Sequence, residues 1–474
     1  MHNTHHRKTK IVCTLGPASD SADKIRLLVD AGADVFRLNF SHGTHAEHLS
    51  EIEIIRGLES EVGKRFGIIQ DLQGPKIRVG EMMNNVVLRN NQSVTLTTDS
   101  IIGSDRLVPV TYEGIVKDVV PGSRILMDDG LLELNVKSAA GKNVECIVVN
   151  GGPLSSHKGI NLPGVNVSIP SLTEKDRTDL EFGVKHSVDY VALSFVRHAS
   201  DVTGLRQLLG QMGGSQGIIA KIEKPEAVEE IDSIIEASDG IMVARGDLGV
   251  EVPIEQVPVL QKIIIRKCNE YGKPVITATQ MLDSMIREPR PTRAEATDVA
   301  NAVFDGTDAV MLSGETSAGN FPVEAVRTMV SIVNTAESQL SLTQRNLNYK
   351  AVRDDFTDSI AEVACSLAKY VDASFIITIT NTGTTARALS KYRPDVPIYA
   401  LTEEAGVARK LLMIWGVIPV EVEQLSDTDA MLTQVSSILK GESLASPGET
   451  YVLTAGTPLL ARGTTNTLRI EKVI

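Results

Sequence analysis

The feature that most constrains the fold is an alternation of short apolar runs with longer segments of helical periodicity. Short apolar runs bounded by turn residues are typical of buried parallel strands, and the segments 21–30, 225–236 and 322–336 carry the helical period. The apolar runs occupy residues 10–14, 34–39, 66–71, 190–195, 217–223, 240–245, 274–279 and 309–313. Eight strands, each beside a helix, predict an α/β fold in the form of a (β/α)8 TIM barrel rather than an open sheet.

The alternation of apolar runs and helical segments is interrupted between the third and the fourth apolar run. Residues 72–169 are rich in Val, Gly, Asn and Asp, alternate over 86–96, and carry turn signals at 121–122 and 129–130. This pattern predicts a small β-barrel lid domain inserted into a barrel loop. An insertion on the carboxyl-terminal side of a strand lies over the barrel mouth, where it can close on a ligand.

A further α/β unit begins near residue 351. Its strand candidates are residues 375–380, 397–401, 417–422, 450–454 and 467–473. We therefore expect four segments along the chain: the first part of the barrel at 1–71, the lid at 72–169, the second part of the barrel at 170–345, and a C-terminal α/β domain at 346–474.

Charge and composition exclude two classes of partner. A net charge of -13 argues against a nucleic-acid surface, which normally needs a basic face. No apolar run reaches the roughly 18 residues that span a bilayer, so no membrane association is expected. The cysteines contain no Cys-x-x-Cys pair, which predicts inert free thiols in a reducing cytoplasm rather than disulfides or a zinc site. They are Cys13, Cys146, Cys268 and Cys365.

Polar residues stand in pairs where four of the apolar runs end. In a (β/α)8 barrel, chemistry collects at the carboxyl-terminal ends of the strands, and a strand period of two points both members of a pair to one face. The pairs are Arg37 with Asn39, Lys221 with Glu223, Arg245 with Asp247, and Thr277 with Thr279. Any single pair could be a rim salt bridge or an inward polar layer, but four together predict a site.

The types of these residues indicate phosphoryl transfer. Glu223 and Asp247 offer the hard oxygen ligands that Mg2+ prefers, and Lys221 and Arg37 supply positive charge for a phosphorylated substrate. Positioning and charge neutralisation are what phosphoryl transfer needs. Residue types leave an alternative open, because Lys221 could also serve as the nucleophile of an aldolase.

Six sequence motifs, in this order and spacing, resemble the pyruvate kinases over essentially the whole chain. A seventh, at the C-terminus, resembles the bacterial members. They are TLGPAS at 14–19, RLNFSHG at 37–43, KGINLPG at 158–164, KIE at 221–223, ARGDLG at 244–249, ATQML at 278–282, and GTTNT at 463–467.

The resemblance implies a glycolytic enzyme that transfers the phosphoryl group of phosphoenolpyruvate to ADP, giving pyruvate and ATP. It implies that Arg37 contacts the substrate phosphate and that Lys221 stabilises the transferring phosphoryl group and the forming enolate. Glu223 and Asp247 are expected to hold Mg2+ or Mn2+. The main chain of Gly246 and Asp247, with the Thr279 hydroxyl, is expected to bind the substrate carboxylate. The proton donor to the enolate stays unassigned.

The resemblance also places a nucleotide site on the lid and at the barrel mouth. The matching residues are Asn39, Phe40, Ser41, His42, Arg78 and Lys158. An aldolase has no use for such a site, which separates it from a kinase. A non-catalytic binding protein that has kept only the fold is the third alternative, and the intact residues Lys221, Glu223, Asp247 and Thr279 argue against it.

One segment departs from the commonest pattern of the family. Many members bind potassium at the positions of Asn39, Ser41, Asp71 and the main chain of Leu72. Potassium-dependent members resemble DTKGPEIR where this chain has DLQGPKIR at 71–78. Lys76 replaces the acidic residue, and its ammonium can supply the charge of the missing cation, although it could also be a solvated loop residue. The segment resembles the potassium-independent branch of the family, which implies activity without added K+.

Two further features concern regulation and assembly. The loop TNTGTT at 380–385 follows a strand and precedes a helix expected to open at Ala386, which predicts either plain helix capping or a phosphate cradle. In the family this loop resembles the site of a phosphorylated allosteric effector, here on Thr380, Thr382, Gly383, Thr384 and Thr385 of a regulatory C-terminal domain. RPTRAE at 290–295 resembles a subunit-contact region of homotetramers, but equally permits a helix start with Pro291 in the first turn.

Overall fold

A computed structural model describes residues 7–340, 356–423, 428–441, 444–456 and 465–474 of the chain. Eight parallel strands form a closed barrel in which each strand pairs with the next along the chain and the last pairs with the first. The barrel strands are Lys10–Thr14, Val35–Asn39, Gly67–Asp71, Tyr190–Leu193, Gly217–Ile222, Gly240–Ala244, Val275–Ala278 and Ala309–Leu312. All eight predicted runs are confirmed, because continuous apolar runs bury both faces of a strand in an α/β fold.

Helices cover the outside of the barrel. The barrel helices are Ala22–Ala31, His45–Val62, Glu174–Lys185, Ala199–Gln211, Pro225–Glu229, Ile231–Ala237, Arg245–Glu251, Val257–Tyr271, Arg293–Asp305, Gly314–Ser317 and Pro322–Glu337, with 3-10 turns at Ile254–Gln256 and Asp283–Ile286. The helix expected over 225–236 is two helices that break at Glu230. Thr292 caps Arg293–Asp305 through a capping box, so Pro291 precedes the cap and does not lie in the first turn.

The inserted segment forms its own β domain around one buried cluster. Its six-stranded sheet runs in the order Ile160–Asn161, Arg124–Met127, Leu132–Ala140, Asn143–Asn150, Ser93–Thr97 and Leu107–Pro109, beside a two-stranded ribbon of Val86–Leu88 and Gly152–Leu154 and a short helix, Ile115–Asp118. The alternating stretch 86–96 holds parts of two strands, and Asn91 between them has a φ of 64°.

The C-terminal domain is a five-stranded sheet with helices. Its strand order is Val417–Glu421, Ile398–Thr402, Phe375–Ile379, Thr450–Ala455 and Thr467–Lys472, of which the last is antiparallel, and its helices are Phe356–Tyr370, Thr384–Lys391, Ala405–Leu411 and Thr428–Gly441. The domain closes the amino-terminal end of the barrel: Lys10 Nζ donates to the Val417 carbonyl at 2.7 Å, and the Tyr190 hydroxyl donates to the Lys410 carbonyl at 2.9 Å.

Within the described part of the chain, no helix combines the length and apolar character needed to cross a bilayer. The four cysteines are free thiols. Burial raises the pKa of the Cys146 thiol to about 12 and also raises the pKa of the Cys13 thiol, so both are protonated and unreactive, as the sequence predicts.

Candidate active site

The centre of the barrel mouth is a buried network of opposite charges. Lys221 Nζ lies 2.9 Å from Glu223 Oε1 and 3.2 Å from Asp71 Oδ1, and donates to the Ser194 hydroxyl at 2.7 Å. Arg37 Nε donates to the other oxygen of Asp71 at 2.6 Å. These residues come from the ends of four barrel strands, so the fold brings together side chains that are far apart in sequence, as the end-of-strand rule predicts.

Electrostatics keep both lysine and aspartate charged. Burial alone lowers the pKa of the Lys221 ammonium, but Asp71 and Glu223 together outweigh it and leave that pKa above its ordinary value. Burial raises the pKa of Asp71, but Lys221 and Arg37 outweigh it and hold the carboxyl below its usual range. Lys221 is therefore a fixed positive charge at neutral pH and is not poised as a free amine for Schiff-base chemistry.

Asp247 lies close enough to Glu223 to act on it. Burial raises the pKa of Glu223, Lys221 lowers it in part, and the Asp247 carboxylate adds to the rise, so that the pKa stays above its ordinary value. Glu223 Oε2 accepts the Phe195 N–H at 2.7 Å, which fixes the direction of the carboxylate. Two neighbouring carboxylates, one of them buried, suit Mg2+, because this ion takes one or two protein carboxylates and completes its octahedron with water and substrate oxygens. No cluster of three or more His, Cys, Asp or Glu side chains suited to a metal occurs among the residues that the structure describes.

The pairing of Arg245 with Asp247 on one strand face is wrong. The strand ends at Ala244, and both residues lie in the helix Arg245–Glu251. Arg245 instead points away to Asp298 at 2.7 Å, and its Nη2 also donates to the Thr279 carbonyl at 2.8 Å. Alternate residues point to the same face only while the chain stays in a strand, and here a helix begins directly after Ala244.

Thr279 lies against Gly246, although Thr277 does not share its role. Thr277 is fully buried in its strand and bonds to the Thr307 hydroxyl at 3.0 Å. Thr279 follows the strand end with a φ of 76° and is partly exposed at the mouth. A Cβ added at Gly246 would stand 2.6 Å from Thr279 Cγ2, so glycine is what lets this backbone approach Thr279.

The residues matched to a nucleotide site gather positive charge between the lid and the mouth. Burial lowers the pKa of His42, and the cations Lys76, Arg78 and Arg37 lower it further. On the lid, Arg78 donates to the His157 carbonyl at 2.9 Å, while Lys158 Nζ lies 2.8 Å from Asp128.

Phe40 and the remaining matched residues of the mouth are held by local structure. Phe40 is buried and stacks on His48 with ring centroids 4.3 Å apart, its N–H donates to the Asp71 carbonyl at 3.0 Å, and its carbonyl accepts the Lys175 ammonium at 2.7 Å. The side-chain oxygen of Asn39 accepts the Ser41 N–H at 3.2 Å, which shapes the turn after the strand.

The positions matched to potassium ligands are occupied by protein contacts. Both oxygens of Asp71 face cationic side chains, and the Leu72 carbonyl accepts the Ser194 hydroxyl at 2.8 Å. The Lys76 side chain is exposed.

The loop at 380–385 is tied mainly to itself and to its neighbours. The helix begins at Thr384, two residues earlier than predicted, after Gly383 with a φ of 78°. Thr380 Oγ1 accepts the Gly383 N–H at 2.9 Å, and the buried Thr385 hydroxyl bonds to Thr465 at 2.6 Å. The hydroxyls of Thr382 and Thr384, 3.0 Å apart, are exposed. Residues 463 and 464 of the GTTNT motif lie outside the described residues.

Ser194 is the functional candidate that the reading of the sequence missed. It follows the strand Tyr190–Leu193 directly and is 2% exposed, with its hydroxyl between Lys221 Nζ and the Leu72 carbonyl. The end-of-strand rule applies to it as to the other site residues, but a lone serine beside apolar residues carries a weak signal.

Comparison with known proteins agrees with this geometry. The family model for the barrel domain of pyruvate kinase matches residues 6–326, and that for its alpha/beta domain matches residues 358–471. A pyruvate kinase of Geobacillus stearothermophilus is 47% identical, over 98% of this chain and 80% of that protein. One of Clostridium acetobutylicum is 46% identical over 98% and 100%. A crystal structure of a Cryptosporidium parvum pyruvate kinase superposes with a TM-score of 0.93 at 39% identity, covering 99% of this chain and 96% of that one.

Proposed function

Since the chain belongs to the pyruvate kinase family, we propose that the charged network at its barrel mouth carries the transfer of a phosphoryl group from phosphoenolpyruvate to ADP. The observation that carries the proposal is the position of Lys221, fixed between Asp71 and Glu223 and kept protonated. Family membership sets aside the aldolase and the non-catalytic binding protein.

Arg37 and Lys221 bind and orient the phosphoryl group. Their positive charges converge on Asp71, which holds both side chains at the mouth. Because the transferring group carries its charge on peripheral oxygens, fixed cations stabilise it with little reorganisation.

The opposite end of the substrate fits the junction of Gly246 and Thr279. The N–H groups of Gly246 and Asp247 lie at the start of a helix, where the backbone favours an anion such as the substrate carboxylate, and the Thr279 hydroxyl is beside them. Glu223 and Asp247 are proposed to hold Mg2+ or Mn2+, and when bound this ion supplies Lewis-acid stabilisation of substrate oxygens. The chain's residues keep the forming enolate aligned and shielded from water while its phosphoryl group leaves.

The nucleotide is proposed to bind across the mouth and the lid. Asn39, Phe40, Ser41 and His42 shape the mouth, and Arg78 and Lys158 bring positive charge from the lid. In the structure Lys158 is held by Asp128, so it must exchange that partner for a nucleotide phosphate. We expect this exchange to accompany lid closure.

The test is a coupled assay of pyruvate formation from phosphoenolpyruvate and ADP with Mg2+, with Lys221→Met beside the unmodified protein. Methionine keeps the length of the side chain and removes its charge. We expect turnover to fall by roughly a hundredfold or more, the loss typical when a group that stabilises transition-state charge is removed. Equal turnover in both proteins would remove Lys221 from the mechanism.

Activity without potassium is a further proposal, supported by the double use of Asp71 and by Lys76. The same assay in sodium buffer, with and without K+, tests it. A strict requirement for K+ would overturn it.

A phosphorylated metabolite is proposed as allosteric activator at Thr380, Thr382, Gly383, Thr384 and Thr385. The exposed hydroxyls of Thr382 and Thr384 at a helix amino terminus support this site rather than capping alone. A panel of sugar phosphates and AMP that left the phosphoenolpyruvate saturation curve unchanged would remove the idea.

The remaining expectations also stand as proposals. They are a homotetramer with contacts at 290–295, a cytoplasmic location, and the segment bounds 1–71, 72–169, 170–345 and 346–474. The boundary between 345 and 346 lies outside the described residues.

A further inference from the structure

Arg245 and Thr279 occupy equivalent places at the ends of two neighbouring barrel strands. The strands Gly240–Ala244 and Val275–Ala278 are paired in register up to their last residues, where the backbone ladder ends. Arg245 directly follows the first strand and Thr279 directly follows the second. Beyond the ladder, other contacts must hold these two chain ends together.

The Arg245 guanidinium supplies such contacts. Its Nε donates to the Ala278 carbonyl at 3.2 Å and its Nη2 donates to the Thr279 carbonyl at 2.8 Å, so one side chain binds two consecutive carbonyls. A planar guanidinium can do this because its N–H bonds form a rigid fork, whereas a lysine ammonium is a single point of charge. Arg245 therefore fixes the main chain of Thr279 against the start of its own helix, Arg245–Glu251.

Asp298, in the helix Arg293–Asp305, fixes the guanidinium in turn. Its Oδ1 accepts Nη1 of Arg245 and its Oδ2 lies by Nη2, both at 2.7 Å. Two-pronged pairs of arginine and carboxylate are among the strongest and most directional side-chain contacts. All three guanidinium nitrogens of Arg245 have protein partners, so this residue is held in place and is not left to bind a substrate anion.

The backbone that Arg245 holds is in an unfavourable conformation. Thr279 has a φ of 76° and Gln280 a φ of 54°, so two consecutive residues that carry a Cβ lie in the left-handed region. A β-branched residue is rarely found there. Such a conformation persists only where the surroundings impose it, and it is often found at functional sites. The two hydrogen bonds from Arg245 help to impose it.

The junction of Thr279 with Gly246 leaves little room for movement. A Cβ at Gly246 would lie 2.6 Å from Thr279 Cγ2, so a small shift of the Thr279 main chain alters this contact. The Thr279 hydroxyl and the N–H groups of Gly246 and Asp247 are the groups proposed for the substrate carboxylate. Groups that bind a reacting molecule lose much of their effect when they are misplaced by about 1 Å.

We propose that Arg245 is the positioning residue of the carboxylate site: it holds the Thr279 hydroxyl beside the N–H groups of Gly246 and Asp247, so that one carboxylate contacts all three. Arg245 does not touch the substrate and acts through Thr279. The inference rests on the proposed function and deepens it, because it concerns how the chain recognises the carboxyl end of phosphoenolpyruvate.

The test is calorimetric titration of full-length Arg245→Lys and of the unmodified protein with phosphoenolpyruvate. Mg2+ is present and ADP is left out, so that no turnover occurs. Lysine keeps the charge beside Asp298 but cannot bind both carbonyls. We expect phosphoenolpyruvate to bind about tenfold more weakly, because the contacts that position Thr279 are lost. The KM for ADP, measured by steady-state kinetics, should stay unchanged.

Arg56→Lys is the matched control. Arg56 also pairs with an aspartate, Asp189 at 2.8 Å, and donates to a main-chain carbonyl, that of Phe66 at 2.8 Å. Both partners directly precede barrel strands, so this arginine lies at the end of the barrel opposite to the active site. We expect Arg56→Lys to leave phosphoenolpyruvate binding unchanged.

Two competitors of phosphoenolpyruvate show which end of the substrate is affected. Pyruvate carries the carboxylate without a phosphate, and inorganic phosphate carries no carboxylate. Their inhibition is measured in assays that follow ATP formation. In Arg245→Lys we expect inhibition by pyruvate to weaken about as much as phosphoenolpyruvate binding, and inhibition by phosphate to stay unchanged. A residue that only stabilises the fold would change both alike.

Asp298→Ala replaces Arg245→Lys if that variant does not fold. Asp298 is 36% exposed, so its loss is tolerated, and the released guanidinium should weaken phosphoenolpyruvate binding by about threefold or more. Unchanged phosphoenolpyruvate affinity in the variant, or equal weakening of pyruvate and phosphate inhibition, would overturn the proposal. If the unmodified protein neither binds phosphoenolpyruvate nor makes pyruvate, the proposed function itself fails. If it does both and the variant matches it, only the positioning role fails.

Discussion

Ser194 acts on the active site through Lys221. The Lys221 ammonium has three N–H bonds, and the structure directs them at Asp71, Glu223 and Ser194. Two of these partners are carboxylates with other proposed tasks, whereas the Ser194 hydroxyl is anchored to the Leu72 carbonyl. Ser194 is therefore a positioning residue: it still holds the Lys221 ammonium when a substrate phosphate replaces Asp71 or Glu223 as a partner of that ammonium.

We predict that Ser194→Ala lowers kcat by roughly tenfold or more while the KM for phosphoenolpyruvate changes less. A hydrogen bond to a charged group contributes about 1.5–3 kcal/mol, and this one orients the charge that the transition state needs. Steady-state kinetics measure the split between kcat and KM.

Ser238→Ala is the control for this variant. Ser238 is also fully buried and donates to a main-chain carbonyl, that of Ile234 at 2.7 Å, but it precedes its barrel strand and lies far from the mouth. Each variant loses the hydrogen bond from a buried serine to a main-chain carbonyl, and Ser194→Ala also loses the one from Lys221. An equal fall in kcat for both would show that Ser194 matters only for stability.

Lys76 can be tested by charge reversal. Lys76→Glu restores the acidic residue of the potassium-dependent pattern and removes a positive charge near the mouth. We predict that activity in sodium buffer falls by about tenfold and that added K+ restores much of it, because the cation can replace the lost charge. Lys142→Glu reverses a charge elsewhere on the lid and should leave activity unchanged in both buffers. A variant indifferent to K+ would contradict the role of Lys76.

Residue types at strand ends predicted the charged centre but could not predict how each side chain is used. Arg37, Lys221 and Glu223 lie together as expected, since parallel strands deliver their ends to one mouth. The predictions for Arg245 and Thr277 were wrong, because the direction of a side chain depends on the residue at which its strand ends. A shift of that end by two residues changes which side chains reach the mouth. Asp71, singled out only as a potassium position, proved to be the joint partner of Arg37 and Lys221.

A hydrogen bond from the lid to a buried ion pair of the barrel links the two domains. Glu251 Oε1 accepts Lys224 Nζ at 2.6 Å and the Asn161 side-chain N–H at 2.9 Å. Lys224 and Glu251 belong to the barrel, Asn161 to the lid strand that follows Lys158. Glu251 is the last residue of the helix that also carries Asp247, a proposed metal ligand. The hydrogen bond from Asn161 therefore holds the lid against that helix.

We predict that Asn161→Ala raises the KM for ADP by about three- to tenfold, with a smaller change for phosphoenolpyruvate. Loss of this hydrogen bond loosens the domain that carries Arg78 and Lys158, and a three- to tenfold change in KM corresponds to about 0.7–1.4 kcal/mol. Asn150→Ala removes a comparable bond inside the lid, to the Leu131 carbonyl at 2.8 Å, and should leave both KM values unchanged. Equal effects of both variants would place the cause in lid stability.

Strands and helices were predictable where the local sequence pattern determines them. The thirteen predicted strands of the barrel and the C-terminal domain all exist. Twelve of them are parallel strands, which read as apolar runs between turns when they are buried, whereas Thr467–Lys472 is antiparallel and partly exposed. Inside the lid, where antiparallel strands alternate and turns are frequent, only the stretch 86–96 stood out, and it spans a turn. The break at Glu230 and the early start at Thr384 depend on packing that no local pattern records.

The two large units of the molecule are joined by contacts of unequal burial. Arg409 Nη2 of the C-terminal domain lies 2.7 Å from Glu59 of the barrel, whose carboxylate is 1% exposed. Arg65 of the barrel lies 2.6 Å from Glu421, and both of these side chains are about one-third exposed. Losing a partner costs a buried charge more free energy than an exposed one, although Glu59 would keep Arg56 at 2.9 Å and Arg65 at 3.3 Å, which limits the cost.

We predict that Arg409→Met destabilises the docked arrangement by roughly 1–3 kcal/mol, whereas Glu421→Gln changes it by less than about 1 kcal/mol. Trp415 reports the event, since it is the single tryptophan, is buried, and stacks on Arg393, which pairs with Asp308 of the barrel. Urea should shift its emission to the red at a lower concentration in Arg409→Met than in the unmodified protein. If the urea transitions of Arg409→Met and the unmodified protein coincide, apolar packing rather than the Glu59 ion pair joins the domains. If Glu421→Gln shifts the transition as much as Arg409→Met, burial does not decide the strength of these ion pairs.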